Sequence, residues 1–130
     1  MAWWSELDQS PFGDGPELAD ELLALILSGR KTATCWSATE GEKGTQIGKQ
    51  WVVLDGAGQP RAVIETVEFT QRRFHEVDAA FAFEEGEDDR TLAAWRAAHE
   101  EYFGRNKCFA PDMLLYCERF RLIEMLDAGE

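Results

Sequence analysis

Gly29-Arg30-Lys31-Thr32-Ala33-Thr34 brings a primary amine and two hydroxyls close together in the chain. The group directly follows an amphipathic segment, Pro16 to Ser28, so it leaves a helix end where the backbone must turn. A titratable amine is thereby set beside two potential nucleophiles or hydrogen-bond donors at a rigid edge. Alone, a G-x-K-T tetrapeptide is common, and its weight comes from what accompanies it. Trp36 follows the group at once and offers a face for a nucleobase or for the core. An acidic run, Glu84-Glu85-Gly86-Glu87-Asp88-Asp89, supplies carboxylates for acid–base work, for a metal between Glu85 and Glu87, or merely for a solvated loop before a helix. Glu118 stands between Cys117 and Arg119 in an apolar stretch, a place where a carboxylate needs a buried partner.

Cys35, Cys108 and Cys117 form no C-x-x-C pair, and neither His75 nor His99 lies close to a cysteine in the chain. That spacing argues against a disulfide framework and against zinc, and predicts reduced, mostly buried thiols. No metal or other cofactor is assigned. His99 falls on the apolar face of a tryptophan-containing helix and reads as a core histidine.

The net charge of −12 opposes long polyanions unless cations cluster. Arg30-Lys31 and Arg72-Arg73 are such clusters, and Arg119 and Arg121 share one face of a strand. The balance favours a small or short single-stranded ligand over duplex DNA. No apolar run approaches the roughly 20 residues that span a bilayer, and the first residues have no basic-then-apolar pattern. A cytoplasmic protein of one domain, residues 1–130, is expected.

The elements follow from periodicity. Residues 1–14 read as irregular. Pro16 opens a helix whose Leu18, Leu22, Leu25 and Ile26 form an apolar stripe, and Gly29 stops it. Lys31 to Trp36 reads as a short strand, and residues 37–48 as a polar loop long enough to be functional. Trp51–Leu54 and Ala62–Phe69 make a hairpin across a turn at residues 55–60. In its second strand Val63, Glu65, Val67 and Phe69 are expected on one face, and Ile64, Thr66 and Glu68 on the other. Phe74 to Phe83 mixes helical and loop signals, Thr91 to Arg105 is a helix, and Met113 to Met125 a final strand. Four or five strands and two helices without βαβ alternation predict an α+β fold with a curled sheet or small barrel.

In this order the pieces resemble an ASCH domain. The resemblance rests on Gly29 to Thr34, on Ile47-Gly48 before Trp51 to Gly56, and on Phe74-His75-Glu76-Val77-Asp78. It continues through Glu85-Gly86-Glu87, Asp89, Thr91-Leu92 and Trp95-Arg96 to Cys117-Glu118-Arg119-Phe120, covering about residues 12–123. It implies a PUA-like small β-barrel with flanking helices, and a cleft beside the helix that ends in the G-x-K-T-x-T motif. Small members of this kind include amidohydrolases that deacylate N4-acetylcytidine, and others described as RNA-binding proteins or ribonucleases. Matched by motif, Lys31, Thr34 and Glu87 are the catalytic residues the resemblance implies: Thr34 as nucleophile, Lys31 as base, Glu87 assisting the leaving amine. Lys31 accepts a proton only if burial or a neighbouring cation such as Arg30 brings it toward neutrality. Candidate substrate-binding residues are Arg30, Thr32 and Trp36, the pair Arg72 and Arg73, and the carboxylates Glu85 and Glu118. Expected partners are a modified nucleoside or a short single-stranded RNA. A regular strand points residues three apart to opposite faces, so Lys31 and Thr34 can meet only if the chain turns between them.

Overall fold

The structure, a computed structural model, describes residues 3–13, 15–86 and 90–126. Its elements are β1 (Gln9–Pro11), α1 (Pro16–Leu27), β2 (Ala33–Ser37), β3 (Gln50–Leu54), β4 (Pro60–Arg73), α2 (Ala79–Glu85), α3 (Leu92–Arg105) and β5 (Leu114–Met125). Short 3-10 turns at Ala38–Glu40 and Phe74–Glu76 link them.

The five strands form one sheet in the order β1-β3-β4-β5-β2, with β1 parallel to β3 and every other pair antiparallel. The expected barrel is not closed. β1 is a three-residue edge whose ladder is with β3, and β2 is the opposite edge, bonded to β5. Residues of both edges border one cavity. β1 itself departs from the sequence reading: its Gln9, Ser10 and Pro11 are exposed and polar or ring-locked, so they carry no period-two signal.

Two cores lie on the two faces. Leu22, Leu23 and Ile26 of α1 pack on Phe12, Val53, Ile64 and Phe120. On the other face Phe81, Trp95 and Phe103 from α2 and α3 cover Ala33, Leu115 and Cys117. Each fully buried side chain of this size contributes about 1.5–3 kcal/mol. Of the cysteines, all free, only Cys117 is buried; Cys35 and Cys108 are half-buried, less enclosed than their type suggests.

A bulge in β4 overturns the expected alternation. Thr66 pairs with Phe120 and Glu68 with Arg119, so Val67 is the extra residue and stands out to solvent. Beyond it Phe69, paired with Glu118, joins the face of Thr66. An irregular ladder step leaves no trace in the hydrophobic pattern.

The acidic run differs most from expectation. Glu84 and Glu85 are not loop residues: α2 runs through Glu85 and ends at Gly86 in the left-handed region, φ 74°. The carbonyls at this helix end are taken by the segment leaving α1. Thr32 N–H donates to Glu84 O at 2.7 Å, Lys31 Nζ to Glu85 O at 3.2 Å and Arg30 Nε to Gly86 O at 2.6 Å. Cations at a helix C-terminus also meet the negative end of its dipole. The two backbones approach so closely that a Cβ on Gly86 would lie 2.4 Å from Arg30 O.

Gly86→Ala is therefore expected to lower stability to urea by about 2 kcal/mol or more, combining left-handed strain with backbone overlap. Gly104→Ala, in α3 with open space around it, is expected to raise stability by about 0.5–1 kcal/mol. A neutral Gly86→Ala would contradict the close junction.

Candidate functional site

The cavity between the sheet edges has a volume of about 500 Å³. Ser10 and Pro11 of β1 border it on one side, and Thr34, Cys35 and Trp36 of β2 on the other. Because β2 is an edge strand, residues from both of its faces reach the opening. His99, Tyr102 and Phe103 close it from α3, and Lys31, Glu85 and Glu118 stand in its wall. From residues 37–48, Glu40, Lys43 and Thr45 also border the cavity.

At the centre is a buried pair. Lys31 is 2% exposed and Glu85 1%. Lys31 Nζ lies 3.5 Å from Glu85 Oε1 and donates to the Glu85 carbonyl. The other carboxylate oxygen, Oε2, accepts the indole N–H of Trp95 and lies 3.5 Å from Cys35 Sγ and 3.4 Å from His99 Nε2. The His99 ring stacks on Trp95 with centroids 4.3 Å apart, and its Nδ1 lies 2.8 Å from the Trp95 carbonyl. Burial, reinforced by the Glu85 charge, holds the Cys35 thiol well above its usual range, and burial lifts Cys117 to about 12. Both sulfurs are therefore thiols and poor nucleophiles as they stand.

Lys31 and Thr34 both border the cavity. β2 begins only at Ala33, so Lys31 lies in the irregular exit from α1. The Thr34 hydroxyl makes no hydrogen bond among the described residues. Trp36 donates its indole N–H to Gly41 O at 2.7 Å and stacks with Phe69, which stacks in turn on Tyr116.

Glu118, opposite Thr34 in the ladder, is 1% exposed. Burial raises its carboxyl above the ordinary value, an effect opposed by hydrogen bonds from the Thr66 hydroxyl, at 2.6 Å, and from Trp51.

Several candidates lie elsewhere. Arg30 and Thr32 cap α2 and are not in the cavity wall, so Arg30 does not bring its charge beside Lys31 there. Arg72 pairs with Asp78 at 3.5 Å, and Arg73 donates to Asp112 O at 2.8 Å, both away from the cavity. Glu87 lies outside the described residues. Conversely, sequence reasoning set aside His99 and Cys35, which the fold places at Glu85. The i, i+4 spacing of Trp95 and His99 was visible; their convergence on residues 35 and 85 was not.

A raised carboxyl binds its proton more tightly folded than unfolded. Glu118 therefore favours the fold fully below the ordinary carboxylate range and loses that contribution as pH rises through its folded value. The Tm of Glu118→Gln relative to wild type should rise as pH increases from below the ordinary carboxylate range through the raised folded value. A difference independent of pH would contradict the burial of an ionisable Glu118.

The ASCH domain family model matches residues 8–124. An ASCH domain of known structure from Lactobacillus crispatus JV V101 is 32% identical, with a TM-score of 0.79 over 88% of this chain and 79% of that one. Protein EF3133 from Enterococcus faecalis V583 is 35% identical, with a TM-score of 0.77 over 91% of this chain and 77% of that one. Hypothetical protein PH0355, 9% identical with a TM-score of 0.62, shares the fold alone. No curated protein matches the chain. No described helix is long and apolar enough to cross a membrane. The open five-stranded sheet with helices on both faces and the motif-bearing edge are those of a PUA-like α+β domain, and the chain belongs to the ASCH domain family.

Proposed function

We propose that this protein is a hydrolase of an N4-acylated cytidine or a related modified nucleoside, acting through Lys31, Thr34 and Glu85. The observation that carries this reading is the buried Lys31–Glu85 pair in the wall of a cavity that Thr34 also borders. The carboxylate role given to Glu87 by motif order passes to Glu85, because Glu85 is the acid beside Lys31.

Thr34 Oγ attacks the acyl carbon, and its proton passes to the Lys31–Glu85 pair, which can take one more proton than it holds as an ion pair. The C–N bond then breaks, and the leaving amine takes that proton. Water attacks the threonyl ester, returns a proton through the same pair and releases the carboxylic acid. A cavity of about 500 Å³ is of the size that encloses a small ligand. Trp36 and Tyr102 offer faces for the base. A net charge of −12 suits a neutral nucleoside better than a polyanion.

One observation favours a second reading, RNA binding or ribonuclease action: the stacked rings of Trp36, Phe69 and Tyr116, with Lys43 5.3 Å from the Trp36 centroid. Against it, the Arg72 and Arg73 guanidiniums already have protein partners.

With N4-acetylcytidine as substrate, wild type is expected to release cytidine. Thr34→Val and Lys31→Ala are each expected to lower kcat by about 100-fold or more. Turnover that survives Thr34→Val would exclude the covalent route. Absent turnover joined to salt-sensitive binding of a single-stranded RNA would move the assignment to the second reading.

A further inference from the structure

We propose that Cys35, Glu85 and His99 form a binding site for one divalent cation of the zinc class. Their ligand atoms all lie within 4.8 Å of one another. Metal–ligand lengths of about 2.0–2.3 Å place the ligands of a tetrahedral ion roughly 3.3–3.8 Å apart. Two of the three edges already have that length, Cys35 Sγ to Glu85 Oε2 at 3.5 Å and His99 Nε2 to Glu85 Oε2 at 3.4 Å. The thiol, imidazole and carboxylate set matches the borderline softness of zinc and cobalt rather than magnesium or calcium.

The ligands are oriented before any ion arrives, and one residue orients two of them. The Trp95 carbonyl can only accept, so His99 Nδ1 carries the hydrogen and Nε2 is directed at the carboxylate. The Trp95 indole N–H fixes Oε2 of Glu85, and its ring stacks on His99. Outer hydrogen bonds of this type set the tautomer and direction of metal-binding histidines. The fourth position opens to the cavity. The cation displaces the Cys35 proton, which leaves to solvent, so binding releases one proton.

Lys31 opposes the ion. Its ammonium lies 3.5 Å from Oε1 of the same carboxylate, so a bound cation and the Lys31–Glu85 pair compete for one charge. Where Glu85 serves hydrolysis, as proposed above, the loaded protein is inactive; the binding itself does not depend on that reading.

Titration of the full chain with Co²⁺, under a phosphine reductant, should give one bound ion and a thiolate-to-cobalt charge-transfer band that Zn²⁺ abolishes by displacement. Cys35→Ser should remove the band and Cys108→Ser should keep it. His99→Ala should weaken binding by about tenfold or more, and Lys31→Met should tighten it. Wild-type protein supplies a check independent of any variant's folding: Zn²⁺ should slow alkylation of Cys35, mapped by mass spectrometry. No charge-transfer band, a band that survives Cys35→Ser, or alkylation of Cys35 indifferent to Zn²⁺ would overturn the site.

Discussion

Lys31 and Glu85 are removed from water together, and the rest of the site is arranged around that fact. A buried charge without a partner costs several kcal/mol, whereas a paired and hydrogen-bonded one can be held. Holding it requires α2 to end where the chain leaves α1. Gly86 permits that approach, because any side chain would meet Arg30 O. Thr32, Lys31 and Arg30 then satisfy successive carbonyls at the helix end, so the pair is fastened through backbone as well as side chain. Trp95 completes the shell by donating to the oxygen that Lys31 does not face.

β1 and β2, the two edges of the open sheet, both border the cavity. β1 is three residues long, β2 is five, and side chains border the seam between them. Several polar groups along that seam have partners distant in the chain or across a turn: Glu118 accepts from Thr66 across the ladder, Lys49 donates to Asp8 at 2.7 Å, and Trp36 donates to Gly41 O. Strands and helices alike supply both aromatic and polar side chains to the site, Trp36 and Glu118 from the sheet, Tyr102 and Glu85 from the helices.

How much of this was legible varies with the physics behind each element. α1 was plain, because Pro16, the leucine stripe and Gly29 all give the same answer. α3 was plain for similar reasons: its Trp95 and Phe103 are buried and Thr91 accepts the Ala94 N–H as a cap. The motif order identified the family, and Lys31, Thr34, Trp36, Glu85 and Glu118 all border the cavity. Glu85 was a candidate, but its burial was not legible in the acidic run, because it depends on a lysine 54 positions earlier, which no local window contains. β1 and the bulge at Val67 exist through ladder pairing alone. The Cys35, Glu85 and His99 cluster defied the spacing rule for metal ligands, since β2, α2 and α3 each contribute one member.

The central claim is that Lys31 and Glu85 stabilise each other as one buried unit, and a double-mutant cycle read by urea unfolding tests it most directly. Lys31→Met and Glu85→Gln should each cost about 3 kcal/mol, because each strands the other charge. Joined in one chain they should cost clearly less than their sum, with a coupling of about 2 kcal/mol or more. Strictly additive losses would show that the two residues are stabilised separately and would contradict the account.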